Sequence, residues 1–330
     1  DVTENYNITK NNGTLTITYT LLADAGTVNP SSTLVCEGET VFFTNTGSIG
    51  NIQCQISTNN GVSWSDITGG NYDTLSYHIF NNSCFRVIID CGSTIKYSNI
   101  VCVITKPKPV ATATPKSEII CSDETTGISL SSNITGTSFD WTVLTTGITG
   151  SSNGTGNNIL QTLSTTGISP GSAIYSITPS ANGCIGASIS VDITINPKPT
   201  LSVNSNPSVI CDGNSSTLSV SGASTYNWDN GLGNGDIHLV IPTITTTYTV
   251  TGTNSYSCSN TANTTITVNP NPIITFSHNA PEICYGDNIN LTASGGTNYL
   301  WNTGATSHTI NASPSFTTTY TITITDNNSC

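Results

Sequence analysis

The stretch TTTYTVTGTNSYSC ends at Cys258, and TTTYTITITDNNSC ends at Cys330, 72 residues further on. A chain that rewrites its own text at a fixed period copies one supersecondary unit, and that excludes most single-domain architectures. The landmarks recur in order: a Cys followed closely by Gly, Asp or Glu, an apolar strand, a Trp, a Thr-rich strand with a Tyr, and a closing Cys. Cys211, Trp228, Tyr248 and Cys258 correspond to Cys284, Trp301, Tyr320 and Cys330, with gaps of 17, 20 and 10 against 17, 19 and 10. Cys121, Trp141, Tyr175 and Cys184 form a third copy. Its longer middle, TTGITGSSNGTGNN, reads as an extended hairpin loop.

Three Pro-x-Pro segments, ITKPKPV at 104–110, INPKPT at 195–200 and VNPNPI at 268–273, each follow a β-branched run. Proline fixes φ and cannot donate to a ladder, so each segment ends one strand and stiffens the crossing to the next unit. The resulting division is 1–25, the tail of a preceding domain or a lead-in strand; 26–106; 107–196; 197–269; and 270–330. Cys258 is followed by SNTANTTITVNPNP and Cys330 by nothing, so the fourth unit is expected to lack its last strand. With no Met in the chain, the sequence reads as a segment of something longer.

The alternation in TYTVTGT, TYTITIT and TITVNP has the period of two of half-buried strands, and no window has helical periodicity. Turn residues punctuate the chain every ten residues or so. The expected fold is therefore all-β: tandem immunoglobulin-like β-sandwiches of about seven short strands each, joined by the Pro-x-Pro linkers. The paired Trp141 and Tyr175, Trp228 and Tyr248, and Trp301 and Tyr320 are the expected core aromatics.

Charged residues are 8% of the chain, so hydroxyls and amides must solvate its surface. With a formal net charge of -12 and seven Lys plus Arg, no basic stripe is available for phosphates, which excludes nucleic acid as a partner. No apolar run approaches the ~20 residues of a membrane span.

Eleven Cys without a C-x-x-C pair argue for disulfides and an oxidising, extracellular compartment. In the first unit Cys54 stands in the Trp slot and Cys84 in the Tyr slot. If those slots face each other, Cys54–Cys84 replaces aromatic packing covalently and Cys36–Cys91 is the standard bond of the repeat. The other units then give Cys121–Cys184, Cys211–Cys258 and Cys284–Cys330, each clipping one end of its own sandwich. Cys102 is left over: a buried free thiol on the face of Ile104 is expected, with a bond to Cys54 or Cys84, or a bridge between chains, as the alternatives.

The text ICDGNSSTLSVSGASTYNWDNG, TITTTYTVTGTNSYSC and ITVNPNP resembles the tandem Ig-like or PKD-like repeats of very large secreted surface proteins of Bacteroidetes-type bacteria. NIQCQISTNNGVSWSDITGG resembles their commoner variant, which has a Trp where Cys54 stands. The resemblance covers roughly residues 26–330. It implies export by the type IX system and display as an adhesin or filament, in the manner of gliding-motility adhesins.

Sites of chemistry are sparse. GSSNG around Ser152 matches a nucleophile elbow but lacks the strand before it and the helix after it, so it reads as loop. His78, His238, His278 and His308 have no ligand spacing. Asp229 and Asp236 in DNGLGNGD are a weak calcium candidate, since turn geometry explains the same residues. Asn133, Asn214, Asn263, Asn290 and Asn311 begin N-x-S/T sequons in a chain rich in all three residue types. Thr74, in a DTL sequence, is the O-glycosylation candidate that the resemblance implies. No cofactor and no catalytic constellation is expected. The expected function is a non-enzymatic stalk or cell-surface adhesin, with other domains of the same long chain, surface glycans or copies of itself as partners. Alternatives are a self-assembling filament subunit and accessory modules of a secreted hydrolase, for which Trp64 is the candidate sugar-stacking aromatic.

Overall fold

A computed structural model describes residues 5–11, 13–20, 22–91, 94–278 and 282–330. Among them every regular element is a strand. In the second unit, Ala111–Thr114, Ile128–Ser132 and Asn158–Ile159 form a small sheet. Ser117–Cys121, Ile189–Asn196, Gly171–Ala181, Ser138–Thr146 and Gly154–Thr155 form a larger one in that spatial order. The third unit repeats the plan with Ser202–Asn206, Ser216–Ser221 and Ile237–Val240 against Val209–Cys211, Ser259–Asn269, Thr246–Thr253, Thr225–Trp228 and Gly233–Asn234. The chain is a tandem array of immunoglobulin-like β-sandwiches.

In the first three units the opening segment belongs to both sheets. Ala111–Thr114 runs antiparallel to Ile128–Ser132, and then Ser117–Cys121 runs parallel to Ile189–Asn196. The step between them is made at Pro115, and at Pro207 in the third unit, where a residue without an N–H costs no ladder bond. The parallel pairing sets Cys121 against Asn196, Cys211 against Asn269 and Cys36 against Lys106, each the last residue before a Pro-x-Pro linker.

Separate hydrophobic clusters form within the successive units. Trp141, Trp228 and Trp301 are buried, with their indole N–H groups donating to the carbonyls of Ser152, Gly235 and Ser307. Tyr175 and Tyr248 are buried and Tyr320 is half-buried against its cluster. The Tyr175 hydroxyl donates to Gln161 Oε1 at 2.7 Å, and burial pushes its pKa up to about 12. In the first unit Phe43 and Phe85, with ring centroids 4.2 Å apart, supply the aromatic core that no Trp provides. That core also takes in Ala25, the last residue of the expected lead-in.

The insertion TTGITGSSNGTGNN is not a free loop. Ile148–Thr149 pairs with Thr162–Thr165, and Gly154–Thr155 pairs with Asp140 and Trp141. Low charge is offset by hydroxyl pairs across strands, such as Thr247 with Thr265 at 2.8 Å and Thr292 with Thr309 at 2.9 Å.

Candidate functional site: the junctions between units

In the first three units the last strand leaves toward the next unit, and the opening Cys lies at that exit end because its strand runs parallel to the last one. The closing Cys follows the strand antiparallel to the last one and therefore sits at the entry end. In the second unit the eight residues of Ile189–Asn196 alone separate the two ends by about 25 Å at ~3.3 Å per residue, whereas a disulfide needs Cα atoms ~4.4–6.8 Å apart.

The observed bonds join neighbours instead: Cys36–Cys184 and Cys121–Cys258 with Cα atoms 5.6 Å apart, and Cys211–Cys330 at 5.5 Å. The expected Cys36–Cys91, Cys121–Cys184, Cys211–Cys258 and Cys284–Cys330 bonds are corrected on this ground. The opening Cys of one unit is bonded to the closing Cys of the next.

The two halves of each junction are built locally. The Cys36 N–H donates to Glu39 Oε2 at 2.9 Å and the Cys121 N–H to Glu124 Oε2 at 2.8 Å, a carboxylate three residues on that fixes the turn. The second residue after each opening Cys has positive φ: Gly38 at 77°, Asp123 at 68° and Gly213 at 88°. On the other side, Asn254 Oδ1 accepts the Cys258 N–H, and Asp326 Oδ1 accepts the N–H groups of Asn328 and Cys330. The backbone N–H of Cys330, first among these donors, holds the Asp326 carboxyl below the usual carboxylate range.

Polar contacts close the seams. Lys106 Nζ donates to the Asn182 carbonyl at 3.0 Å, and Asn254 and Asn260 donate to the carbonyls of Pro197 and Pro199 in the linker. Lys198 pairs with Asp123 at 3.3 Å, and the Asp123 carboxyl is lowered mainly by the Ser164 hydroxyl and then by Lys198. Both partners are exposed enough for the pair itself to add little stability.

The remaining cysteines also differ from expectation. Cys84 and Cys102 are paired residues on adjacent antiparallel strands and are bonded, so Cys102 is not a free thiol. Val103 is buried while Cys102 and Ile104 are exposed, the inverse of the expected phase. Cys54 pairs in register with Val87, three residues from Cys84, and an odd offset turns the two cysteines to opposite faces. Cys54 is therefore the buried free thiol. Burial, and secondarily the Asp73 charge, push its pKa up. Cys91 and Cys284 are exposed and free.

The Ig-like array is similar in parts to described families. Residues 118–199 match a PKD-like domain, and residues 24–107 match a Domain of unknown function (DUF8696). No curated protein matches the chain. Among solved structures, the ICAM-5 D1–D4 ectodomain fragment is 10% identical with a TM-score of 0.35, covering 78% of this chain and 80% of that one. The N-terminal four Ig domains of Dscam1 isoform 6.9 are 11% identical with a TM-score of 0.22, covering 80% and 79%. The fibronectin(III)-like modules of Clostridium thermocellum CbhA are 13% identical with a TM-score of 0.24, covering 52% and 94%.

Away from the junctions, the sequence's candidate sites of chemistry are not brought together among the described residues. Ser152 lies in the connection between Ile148–Thr149 and Gly154–Thr155, where its carbonyl accepts from Trp141 and Gln161, and a strand rather than a helix follows. Asp229 Oδ1 accepts the Thr249 N–H and the Asn230 amide. Extending the pairing of Asn227 with Asn234 puts Asp236 beside Thr225, four residues or about 13 Å from Asp229, so the two carboxylates of the calcium candidate do not converge. Among the described residues no three His, Cys, Asp or Glu side chains could jointly hold a metal ion. His78 bonds Thr40, His238 packs edge-on against Trp228, His308 lies near Tyr299, and His278 is exposed. Arg86 lies between the Trp64 and Tyr97 rings, 4.2 Å from each centroid, so a guanidinium covers one face of the expected sugar-stacking aromatic. Thr74 is exposed at the start of an edge strand.

Proposed function

We propose that the chain is a non-enzymatic, load-bearing segment of an extracellular stalk or cell-surface adhesin. The observation that carries this reading is the pairing of each opening Cys with the closing Cys of the next unit. Disulfides of this kind persist in oxidising compartments, and the resemblance of the repeats to Bacteroidetes-type surface adhesins supports placing the stalk on a cell surface. A bond inside one sandwich would only protect that sandwich. A bond between neighbours carries tension past it.

The consequence is countable. With the bonds intact, the covalent path from Cys36 to Cys330 crosses to Cys184, follows the 27 residues to Cys211 and crosses again. At ~3.5 Å per residue that run reaches about 95 Å, against roughly 1,000 Å for the 294 residues between Cys36 and Cys330 without bonds. The run consists largely of strand Ile189–Asn196, the linker and strand Ser202–Asn206, which are already extended. Unfolding therefore adds little length.

Single-molecule pulling through the two chain termini tests this. The oxidised protein is expected to stop lengthening near 200 Å, and the reduced protein to pass ~1,000 Å in separate unfolding steps. An oxidised chain that extends like the reduced one refutes the load-bearing role.

A further inference from the structure

A groove of about 750 Å³ runs along the edge of the third unit's larger sheet, where Thr225–Trp228 pairs with the short edge strand Gly233–Asn234. Sites that take small ligands have volumes of ~300–1,000 Å³. Asn227 stands opposite Thr251 on one neighbouring strand and Asn234 on the other, so the three side chains share one face at spacings of about 5 Å. Thr225 lies two residues along on the same face, and the extended pairing brings Asp236 beside it. All five line the groove, and Tyr226 is the one aromatic residue of the lining. Its hydroxyl donates to the Ala223 carbonyl and accepts the Ala223 N–H, both at 2.9 Å, which fixes the ring.

The side chains of Thr225, Asn227, Asn234, Asp236 and Thr251 make no hydrogen bond to other described residues. Elsewhere on the same sheet hydroxyls satisfy one another, Thr247 with Thr265 and Thr253 with Ser259, each at 2.8 Å. The second unit also closes its counterparts. Thr178, which faces Asp140 as Thr251 faces Asn227, bonds the Ser188 hydroxyl at 2.7 Å, and Ser138 donates to the Ser180 carbonyl at 3.2 Å. In the fourth unit the residue before the core Trp is Leu300, 54% exposed, where the third has Asn227. The gathering of unpaired amides, hydroxyls and a carboxylate therefore belongs to the third unit and is not a by-product of the repeat.

We propose that this groove is a binding site for a neutral oligosaccharide. Adjacent sugar hydroxyls each donate and accept, and the two carboxamides and the Asp236 carboxylate offer both roles in rows along the strands. Saccharide hydroxyls replace the water on these groups bond for bond, so desolvating them costs little. The fixed Tyr226 ring supplies the apolar surface against which a sugar's C–H face packs. Charge decides against acidic ligands: no Lys or Arg occurs in residues 199–330, so an anionic glycan, an acidic peptide or a nucleic acid meets no counter-charge. No aliphatic side chain lines the groove, so a lipid or an apolar peptide has nothing to bury against. The proposal goes beyond the load-bearing reading and does not depend on it.

The test screens the purified oxidised chain against an array of neutral oligosaccharides with hexose, pentose and N-acetylhexosamine backbones, with oligogalacturonate as the acidic control, and measures the hits by titration calorimetry. At least one neutral oligosaccharide is expected to bind saturably, with an affinity that does not change with added NaCl. Asn227→Ala and Asp236→Ala are each expected to weaken it about tenfold or more, as the loss of one or two hydrogen bonds requires. Both side chains are exposed and make no bond within the fold, so melting should be unchanged and separates lost binding from lost structure. Thr247→Ala, on the same sheet outside the groove, should bind as the wild type does. An array without a neutral hit, a preference for oligogalacturonate, or binding that survives both groove variants overturns the proposal. None of these outcomes alters the force curve, so the two readings fail separately.

Discussion

Cys84 and Cys102 stand directly opposite each other on adjacent antiparallel strands and are bonded, while Cys54, one strand further, faces the core. Iodoacetamide is therefore expected to label Cys91 and Cys284 in the native protein and Cys54 only in denaturant. The raised Cys54 pKa works in the same direction, because less thiolate is present at a given pH. Native labelling of Cys102 contradicts the assignment.

Proteolytic mapping without reductant should return Cys36–Cys184, Cys84–Cys102, Cys121–Cys258 and Cys211–Cys330. Replacing Cys121 and Cys258 together by Ser opens a loop of 137 residues. Calorimetry is expected to show a lower melting transition, by an amount bounded near 5 kcal/mol on the chain-entropy model. An unchanged thermogram means the bond contributes nothing to the fold.

Gly222 has φ 106°, and a Cβ there would fall on the Thr200 carbonyl oxygen. Gly222→Ala should cost about 1–3 kcal/mol, through left-handed backbone and collision together. Gly213→Ala, at φ 88° with nothing within 4 Å, should cost clearly less. Urea unfolding followed by tryptophan fluorescence ranks the two, and equal costs remove the collision from the account.

Trp228→Ala empties the centre of the third cluster and leaves the Gly235 carbonyl without its indole donor. A loss of about 3–5 kcal/mol is expected in that unit. Hydrogen exchange should rise across Thr246–Thr253 while Gly171–Ala181 stays protected. Loss of protection in both means the sandwiches do not fold as separate units.

Asp326 titrates below the usual carboxylate range because its charged form is held by backbone N–H groups, Cys330 first. A depressed folded pKa means that its contribution is complete above the ordinary carboxylate value and is lost as pH falls through the depressed one. The Cys330 amide resonance is expected to follow a midpoint below about 3.9, the free Asp value. A midpoint at or above that value contradicts the assigned hydrogen bonds.

Much of the fold was legible because Trp228, Tyr248 and their counterparts mark one core each, and Pro-x-Pro cannot lie inside a ladder. The bonds were harder to read. Along the chain, opening and closing cysteines alternate in the same order whether they pair within a unit or across a linker, so spacing favours the nearer partner. The missing signal is direction: Cys121 ends a strand parallel to Ile189–Asn196, and that places it a sandwich length from Cys184. Parallel pairing of a segment so near the start of a unit has no local sequence signature. Cys102 was misplaced by a one-residue phase error, since Val103 and Ile104 are both apolar and alternation alone does not say which faces inward.

The overlapping spans of Cys36–Cys184, Cys121–Cys258 and Cys211–Cys330 leave no peptide bond between residues 36 and 330 outside a covalent ring. A protease that nicks any of the three proline linkers leaves both fragments attached through the sulfur bridge that straddles the cut. In a milieu rich in hydrolases, losing the molecule takes cleavage at more than one place, or a reductant.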